Sequence, residues 1–340
     1  MFEIREVRNK TEYNPLLVSK QTPFTQAWFY GEWQEMMGRK VRRFEVKKGS
    51  ETVSFFQIIK YPLIFSRNLL YIPHGPILEI NSYSNGEFLK VFLEKITRVA
   101  KEECAVFVRF DFFPLDKIGV TDKVFKKIPS YGYRSSYFQP KFEWVIDLEK
   151  TEEEIFENVH PKNRYNIRHA EKKGIKAEIV KDDFKKYFET FFSLLSETAK
   201  RDNFNLHPKA YYQNIFATLK ENNAFLVIAR YGEKILLVNL ILLFGETAYF
   251  LFGGSGGEYK NLMFSHLAQW EAIKEAKKRG FAAYNFGGVD GGKQKNLGGV
   301  SFFKKRFGGQ LLEYSDSYDL ILKPFWHYLY NLRKWVLNLK

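Results

Sequence analysis

One order of elements occurs twice along this chain. In the first half, Val41 to Val46, Val53 to Tyr61 and Leu69 to Ile72 read as strands by β-branched and aromatic content. Gly86 to Glu103 follows with Phe88, Val91, Phe92, Ile96 and Val99 at helical spacing, then a buried-type strand from Ala105 to Phe110 that ends at Asp111. In the second half, Ala224 to Ala229, Ile235 to Phe244 and Thr247 to Phe252 are strand-like, Leu262 to Lys278 is helical, and Ala282 to Phe286 is again a strand. The offset is roughly 180 positions, and YIPHGPI at Tyr71 to Ile77 stands where FLFGGSG stands at Phe250 to Gly256. Such an order predicts an α/β chain with mixed sheets, built as two copies of one fold. Two unrelated α/β segments are the alternative.

The length, 340 residues, suits about two domains. Thr151-x-x-Glu154 is a capping box opening a helix just after the strand Glu143 to Asp147, which places a boundary near Leu148. Domains over 1–148 and 149–316 result. Two more helices are expected between Asp182 and Asn222.

Composition narrows the partners. A net charge of +14 points to an anionic one: nucleic acid, a phosphorylated substrate or an acidic membrane surface. Cys104 is the one cysteine, so no disulfide closes within the chain, and its apolar-periodic setting predicts a buried, inert thiol. The histidines show no paired metal spacing, and no metal site is expected. The first residues lack a signal-peptide core and no run reaches spanning length, which predicts a cytoplasmic protein.

Charge is densest in HPKNRYNIRHAEKKGIKA, from His160 to Ala177. Pro161 suits a first helical turn and Gly174 a stop. Arg164, Arg168 and Lys172 then stack on one face, with Lys162 beside them, as a cationic surface for a polyanion or as a merely solvated face. At the C-terminus, Phe325, Tyr328, Leu329, Leu332, Val336 and Leu339 line one side of a helix, accompanied by Arg333, Lys334 and Lys340. That stripe is expected to dock on its own domain, with a membrane surface as the alternative.

Glycine and lysine carry the remaining signals. Gly253–Gly254–Ser255–Gly256–Gly257 precedes a helix, as phosphate loops do, but four residues intervene. The Arg/Gln-x-x-Gly-x-Gly/Ala turn of a coenzyme A binder is missing, so no cofactor is expected. In VSFFKKRFGG, Val300 to Gly309, Lys304 and Lys305 sit among phenylalanines, with glycines on both sides that would admit a ligand. A lysine so placed can stabilise an oxyanion.

Taken in order, eight segments resemble the FemABX peptidoglycan aminoacyltransferases. They are TPFTQAWFYGEW from Thr22, HGPIL from His74, VRFDF from Val108, HPKNRYNIRHAEKKG from His160, NLHPKAYYQ from Asn205, FLFGGS from Phe250, AQWEAIKEAKKRGFAAYNFGGV from Ala268, and VSFFKKRFGGQ from Val300. The resemblance implies two tandem acetyltransferase-like (GNAT-like) domains, in a compact form without a coiled-coil arm, with residues 317–340 returning to the first. It implies transfer of an amino acid from aminoacyl-tRNA to the stem peptide of a UDP-linked or lipid-linked peptidoglycan precursor, with peripheral contact at the membrane. By the same resemblance Lys304 stabilises the tetrahedral oxyanion, and Asp111 orients or deprotonates the attacking amine. Tyr211 and Phe252 contact the precursor, with Lys305 nearby. His207 or Lys209 stands in for a family arginine at the diphosphate. Lys162, Arg164, Arg168 and Lys172 are expected to bind tRNA. A GNAT-like acyltransferase acting on another amine, and a non-catalytic RNA- or membrane-binding protein, are the competing readings.

Overall fold

The computed structural model describes residues 1–10, 23–76, 86–111, 131–134, 138–291, 298–314 and 317–338. Thr22, Ile77, Leu78 and Phe112, quoted above within motifs, lie outside them. Two compact units emerge: Met1–Lys141 with Glu313–Lys340, and Phe142–Leu312.

The first unit is built on a sheet of β1 (Phe2–Val7), β2 (Val41–Lys48), β3 (Glu51–Pro62), β4 (Asn68–Ile72), β5 (Ala105–Asp111) and β6 (Tyr131–Arg134), with β14 (Ser317–Ile321) between β5 and β6. β4 and β5 run parallel and the other pairs antiparallel. Helix α1 (Trp28–Met36) links β1 to β2, and α2 (Gly86–Glu102) makes the crossover from β4 to β5. β5 reads AVFVRFD and every residue of it is buried, as a central strand covered on both faces requires. Phe88, Phe92, Ile96 and Val99 of α2 pack on Phe56, Leu70 and Phe110, so the helical spacing marks the core face.

In the second unit the sheet comprises β8 (Ile175–Val180), β9 (Ala224–Tyr231), β10 (Lys234–Phe244), β11 (Thr247–Ser255), β12 (Ala283–Gly288), β7 (Phe142–Asp147) and β13 (Gln310–Glu313), in that order. Here β11 and β12 are the parallel pair. The helices are α3 (Glu152–Asn158), α4 (Pro161–Lys172), α5 (Phe188–Asp202), α6 (Lys209–Thr218), α7 (Phe264–Lys278) and α8 (Gly298–Lys305). Thr151 and Glu154 make the reciprocal capping box at the start of α3. Strand by strand the two sheets share one order, and the architecture is mixed α/β. The sixth place differs in origin. β14, from near the chain end, fills it in the first unit, and β7 fills it in the second by pairing with β12. Phe142–Asp147 is thus a strand of the second unit although it precedes Leu148. Among the described residues no long helical arm interrupts 180–224, where α5 and α6 lie.

Two expectations fail. Cys104 is exposed, because it sits past the end of α2 at φ 52° in a left-handed turn, where apolar periodicity has already ceased. The C-terminal helix α9 (Pro324–Asn338) docks by a different side from the stripe of apolar residues. Trp326 and Tyr330 pack on Leu69, Val106 and Phe107, while Phe325 is 67% and Tyr328 63% exposed. The side chains of Val336 and Leu339 lie outside those described. A buried ion pair sets the rotation of the helix. Arg109 and Asp319 face each other across β5 and β14, both fully buried, with N–O distances of 2.7 and 2.8 Å. Asp319 also bonds His327 Nε2 at 2.9 Å. Hydrogen-bonding a buried carboxylate outweighs burial of a few more apolar atoms.

Candidate active site

The second unit holds a buried cation at a place where its sheet opens. β11 pairs with β12 only over Tyr249 to Thr247, opposite Asn285 to Ala283. Beyond these positions β11 runs on to Ser255 and β12 to Gly288, each without the other. Asn285 Oδ1 accepts the Gly287 N–H at 2.7 Å, and Gly287 turns at φ 71°. α8 lies over this end and sends Ser301 and Lys304 inward, as i, i+3 spacing directs, and Phe307 is buried in the turn that follows. Lys304 is 8% exposed and its Nζ donates to the Gly288 carbonyl at 2.7 Å. Burial pulls its pKa down to about 8, and the Glu143 carboxylate opposes that shift. Glu143 is itself buried on β7 and accepts from Asn285 Nδ2 at 2.6 Å.

Lys305, the next residue, is exposed. Its Nζ reaches the Asp290 carbonyl at 3.1 Å and stands 5.8 Å from the Trp144 ring. Adjacent lysines thus occupy different environments, and of the two only Lys304 is desolvated.

The other proposed contacts group in part. His207 and Tyr211 have ring centroids 4.4 Å apart, Tyr211 and Phe252 6.3 Å, and Tyr212 and Phe252 5.1 Å, so an aromatic cluster joins the start of α6 to the free end of β11. Lys209 turns aside and pairs with Glu189 at 2.8 Å. The glycine run does not form a phosphate cradle. Ser255 N donates to Thr198 Oγ1, Gly256 N to the Leu236 carbonyl and Gly257 N to Glu197 Oε1. A Cβ on Gly254 would run into the backbone of Leu194 and Leu195, so that glycine serves the packing of α5 on β11. Gly308 and Gly309, expected to admit a ligand, instead approach Asn158 and Val145 of the same unit at φ 79° and 96°.

In the first unit, Asp111 ends β5, fully buried. Its Oδ2 accepts the Tyr71 hydroxyl at 2.8 Å. Burial raises its pKa to about 7, against the lowering effect of that hydrogen bond. His74 lies beyond the end of the neighbouring β4, stacked on Tyr314 at 4.3 Å, with Nδ1 3.1 Å from Thr25 Oγ1. Burial holds its pKa at about 3, so it stays neutral.

The sequence profile of the FemAB family matches residues 10–234 and 227–334. The chain belongs to the FemAB family. Among its relatives, a lipid II:glycine glycyltransferase of Staphylococcus saprophyticus is 25% identical across 89% of each chain. The lipid II:glycine glycyltransferase of Staphylococcus haemolyticus is also 25% identical, across 81% of each. The crystal structure of FemX superposes with a TM-score of 0.84 at 21% identity, covering 96% of this chain and 99% of that one. A tandem GNAT protein from the clavulanic acid pathway reaches 0.55 at 9% identity, covering 94% and 98%. The fold is therefore that of FemX and, more distantly, of tandem GNAT proteins.

The basic helix of this FemAB chain is α4. His160 caps it by accepting the Lys162 N–H on Nδ1. Asn163, Asn166, Ile167 and Ala170 face inward, with Asn166 3.1 Å from His266. Lys162, Arg168 and Lys172 are exposed, and Arg168 lies over the Phe156 ring at 5.2 Å. Arg164 is half-buried and donates to the Glu157 carbonyl at 3.0 Å, so it is the least available of the four. Glu143, Asn285 and Tyr71 escaped the sequence reading. Each is an ordinary strand residue there, and only strand pairing reveals that it faces a buried ionisable group. Among the described residues no helix is long and apolar enough to cross a membrane.

Proposed function

We propose that this protein transfers an amino acid from aminoacyl-tRNA to an amine on the stem peptide of a lipid-linked peptidoglycan precursor, making or starting an interpeptide bridge. The observation that carries the reading is Lys304, a buried ammonium held at the open end of β12 with a pKa near 8. Glycyl transfer to lipid II, for which the relatives are named, passes through an oxyanion that such a group can stabilise. The amine attacks the ester carbonyl of the donor. A C–N bond forms, and the ammonium of Lys304 meets the negative charge on the carbonyl oxygen. The C–O bond to the terminal ribose then breaks, and the proton shed by the amine ends on the ribose hydroxyl. Asp111 is the proposed carboxylate that orients the acceptor amine or takes its proton. His207, Tyr211 and Phe252 form the proposed precursor contact, and Lys162, Arg168 and Lys172 face the tRNA phosphates. Lys209 is bound to Glu189, which favours His207 at the diphosphate.

A coenzyme A thioester is the less suitable donor, because the amides of the glycine run are occupied by this chain's own oxygens. Incubation with a mixed pool of charged tRNAs and labelled precursors, read by mass spectrometry, tests the proposal. The expected product is heavier by one aminoacyl residue. Transfer from acetyl-CoA, with none from any charged tRNA, would overturn it.

A further inference from the structure

Aromatic and aliphatic side chains form a bare patch on the first unit. α9 turns Trp326, His327 and Tyr330 inward, which leaves Phe325, Tyr328 and Leu332 facing out at i, i+3 and i+7. The turn between β3 and β4 adds Ile64, 48% exposed, and Phe65, 75% exposed. The two elements meet. Phe65 lies 5.7 Å from Trp326, and the Arg67 guanidinium stands over the same Trp326 ring at 5.3 Å. Cations lie beside the patch: Arg67 on the Trp326 ring, Lys323 just before the helix and the exposed Arg333 next to Leu332. No acidic residue occurs in 322–340 or in 60–67.

We infer that this patch docks the protein on an anionic lipid bilayer, with the aromatic tips at the headgroup level and the cations on lipid phosphates. Charge chooses the occupant. A second copy would set these cations against their like. A nucleic acid would satisfy the cations, but Ile64 and Leu332 gain from hydrocarbon and not from phosphate or base stacking. The inference deepens the proposed function, resting on its lipid-linked acceptor, since a docked enzyme meets that acceptor in two dimensions.

Sedimentation with phosphatidylcholine vesicles, with and without phosphatidylglycerol, tests the surface without any substrate. Binding should require the anionic lipid and weaken with added salt. Phe65→Asn with Phe325→Ser and Tyr328→Ser should weaken it at least tenfold; asparagine suits the positive φ of 53° at position 65. Arg333→Gln alone should weaken it about fivefold, the usual value of one cation near such a surface. All four side chains are exposed, so thermal melting should not move. Transfer to a water-soluble precursor should stay at the parent level in these variants, and transfer to precursor in vesicles should fall. Loss of both transfers would count against the patch as a membrane-only surface, and absence of both in the parent counts against the proposed activity instead. Parent protein that ignores anionic vesicles, triple-variant binding equal to the parent, or a parent dimer dissolved by the same substitutions would each overturn the inference.

Discussion

The two sheets share strand order and the place of their parallel pair, yet the ends of those pairs differ. In the first unit β4 and β5 stay paired to Ile72 and Phe110, and the next residue, Asp111, is sealed by the Tyr71 hydroxyl. In the second unit β11 and β12 part after Tyr249 and Asn285, and Lys304 closes on the carbonyl at the end of β12. One end buries an acid whose pKa rises to about 7, and the other a base whose pKa falls to about 8. Desolvation is the first cause in both cases, acting with opposite sign because the charged forms differ. A repeated scaffold thus carries two buried groups brought close to neutrality, an acid with a raised pKa and a base with a lowered one.

If the open end is the reacting one, its lysine carries the largest effect. Lys304→Ala should lower the rate of aminoacyl transfer about 10² to 10³-fold while tRNA binding persists. Lys304→Arg should recover part of it, since the charge returns in a different position. Lys305→Ala should stay within a few-fold of the parent, because its ammonium is already solvated. Single-turnover rates on charged tRNA decide the matter, and a reversed order would assign the role to Lys305.

The sequence made part of this contrast legible. The repeated element order and the family motifs disclosed the α/β fold, and α8 separates Lys304 from Lys305 as adjacent helical positions must. What escaped was set by long-range pairing. Glu143 reads as the first residue of a strand, and only its register opposite Gly288 brings it near Lys304. The outward turn of Phe325 and Tyr328 depends on Asp319, whose buried pair with Arg109 claims His327. Periodicity counts apolar positions and cannot weigh a carboxylate that needs a partner. The glycines misled for a related reason. Gly308 and Gly309 look like a ligand loop in one dimension, and in three they admit the chain's own backbone.

Stability should separate the two ends by the direction of its pH dependence. Asp111 rises from 3.8 to about 7, so its contribution is full below the lower value and lost as pH climbs through the upper one. Asp111→Asn should therefore gain stability progressively from pH 4 to 7, by up to about 4 kcal/mol. Lys304 falls from 10.5 to about 8, so the buried ammonium is a full burden below 8 and none above 10.5. Lys304→Met should gain up to about 3 kcal/mol at neutral pH, with the gain vanishing in alkali. Denaturant midpoints across pH measure both. Parallel profiles would break the comparison.

Charge offers a second contrast between the units. Reversing Arg168 and Lys172 on α4 should weaken tRNA binding and flatten its dependence on salt by about two units of slope. Reversing Lys90 and Arg98, exposed on α2 of the first unit, should leave the slope alone. Equal changes would deny the second unit its claim on the donor.

The finest test adjusts each poised group through its neighbour. The Tyr71 hydroxyl lowers the pKa of Asp111 by donating to its charged form. Tyr71→Phe removes that bond, so the acid should ionise later and the rising limb of the pH–rate profile should move up from about 7. In the second unit the Glu143 carboxylate supports the charged form of Lys304. Glu143→Gln keeps an acceptor for Asn285 but removes the charge, so the lysine should lose its proton earlier and the falling limb should move down from about 8. Each interaction is worth on the order of 1 kcal/mol, so each shift should be about one pH unit or less. Together the two substitutions should narrow the profile from both sides. A limb that moves outward, or that follows the other unit's substitution, would show that the group assigned to it is the wrong one.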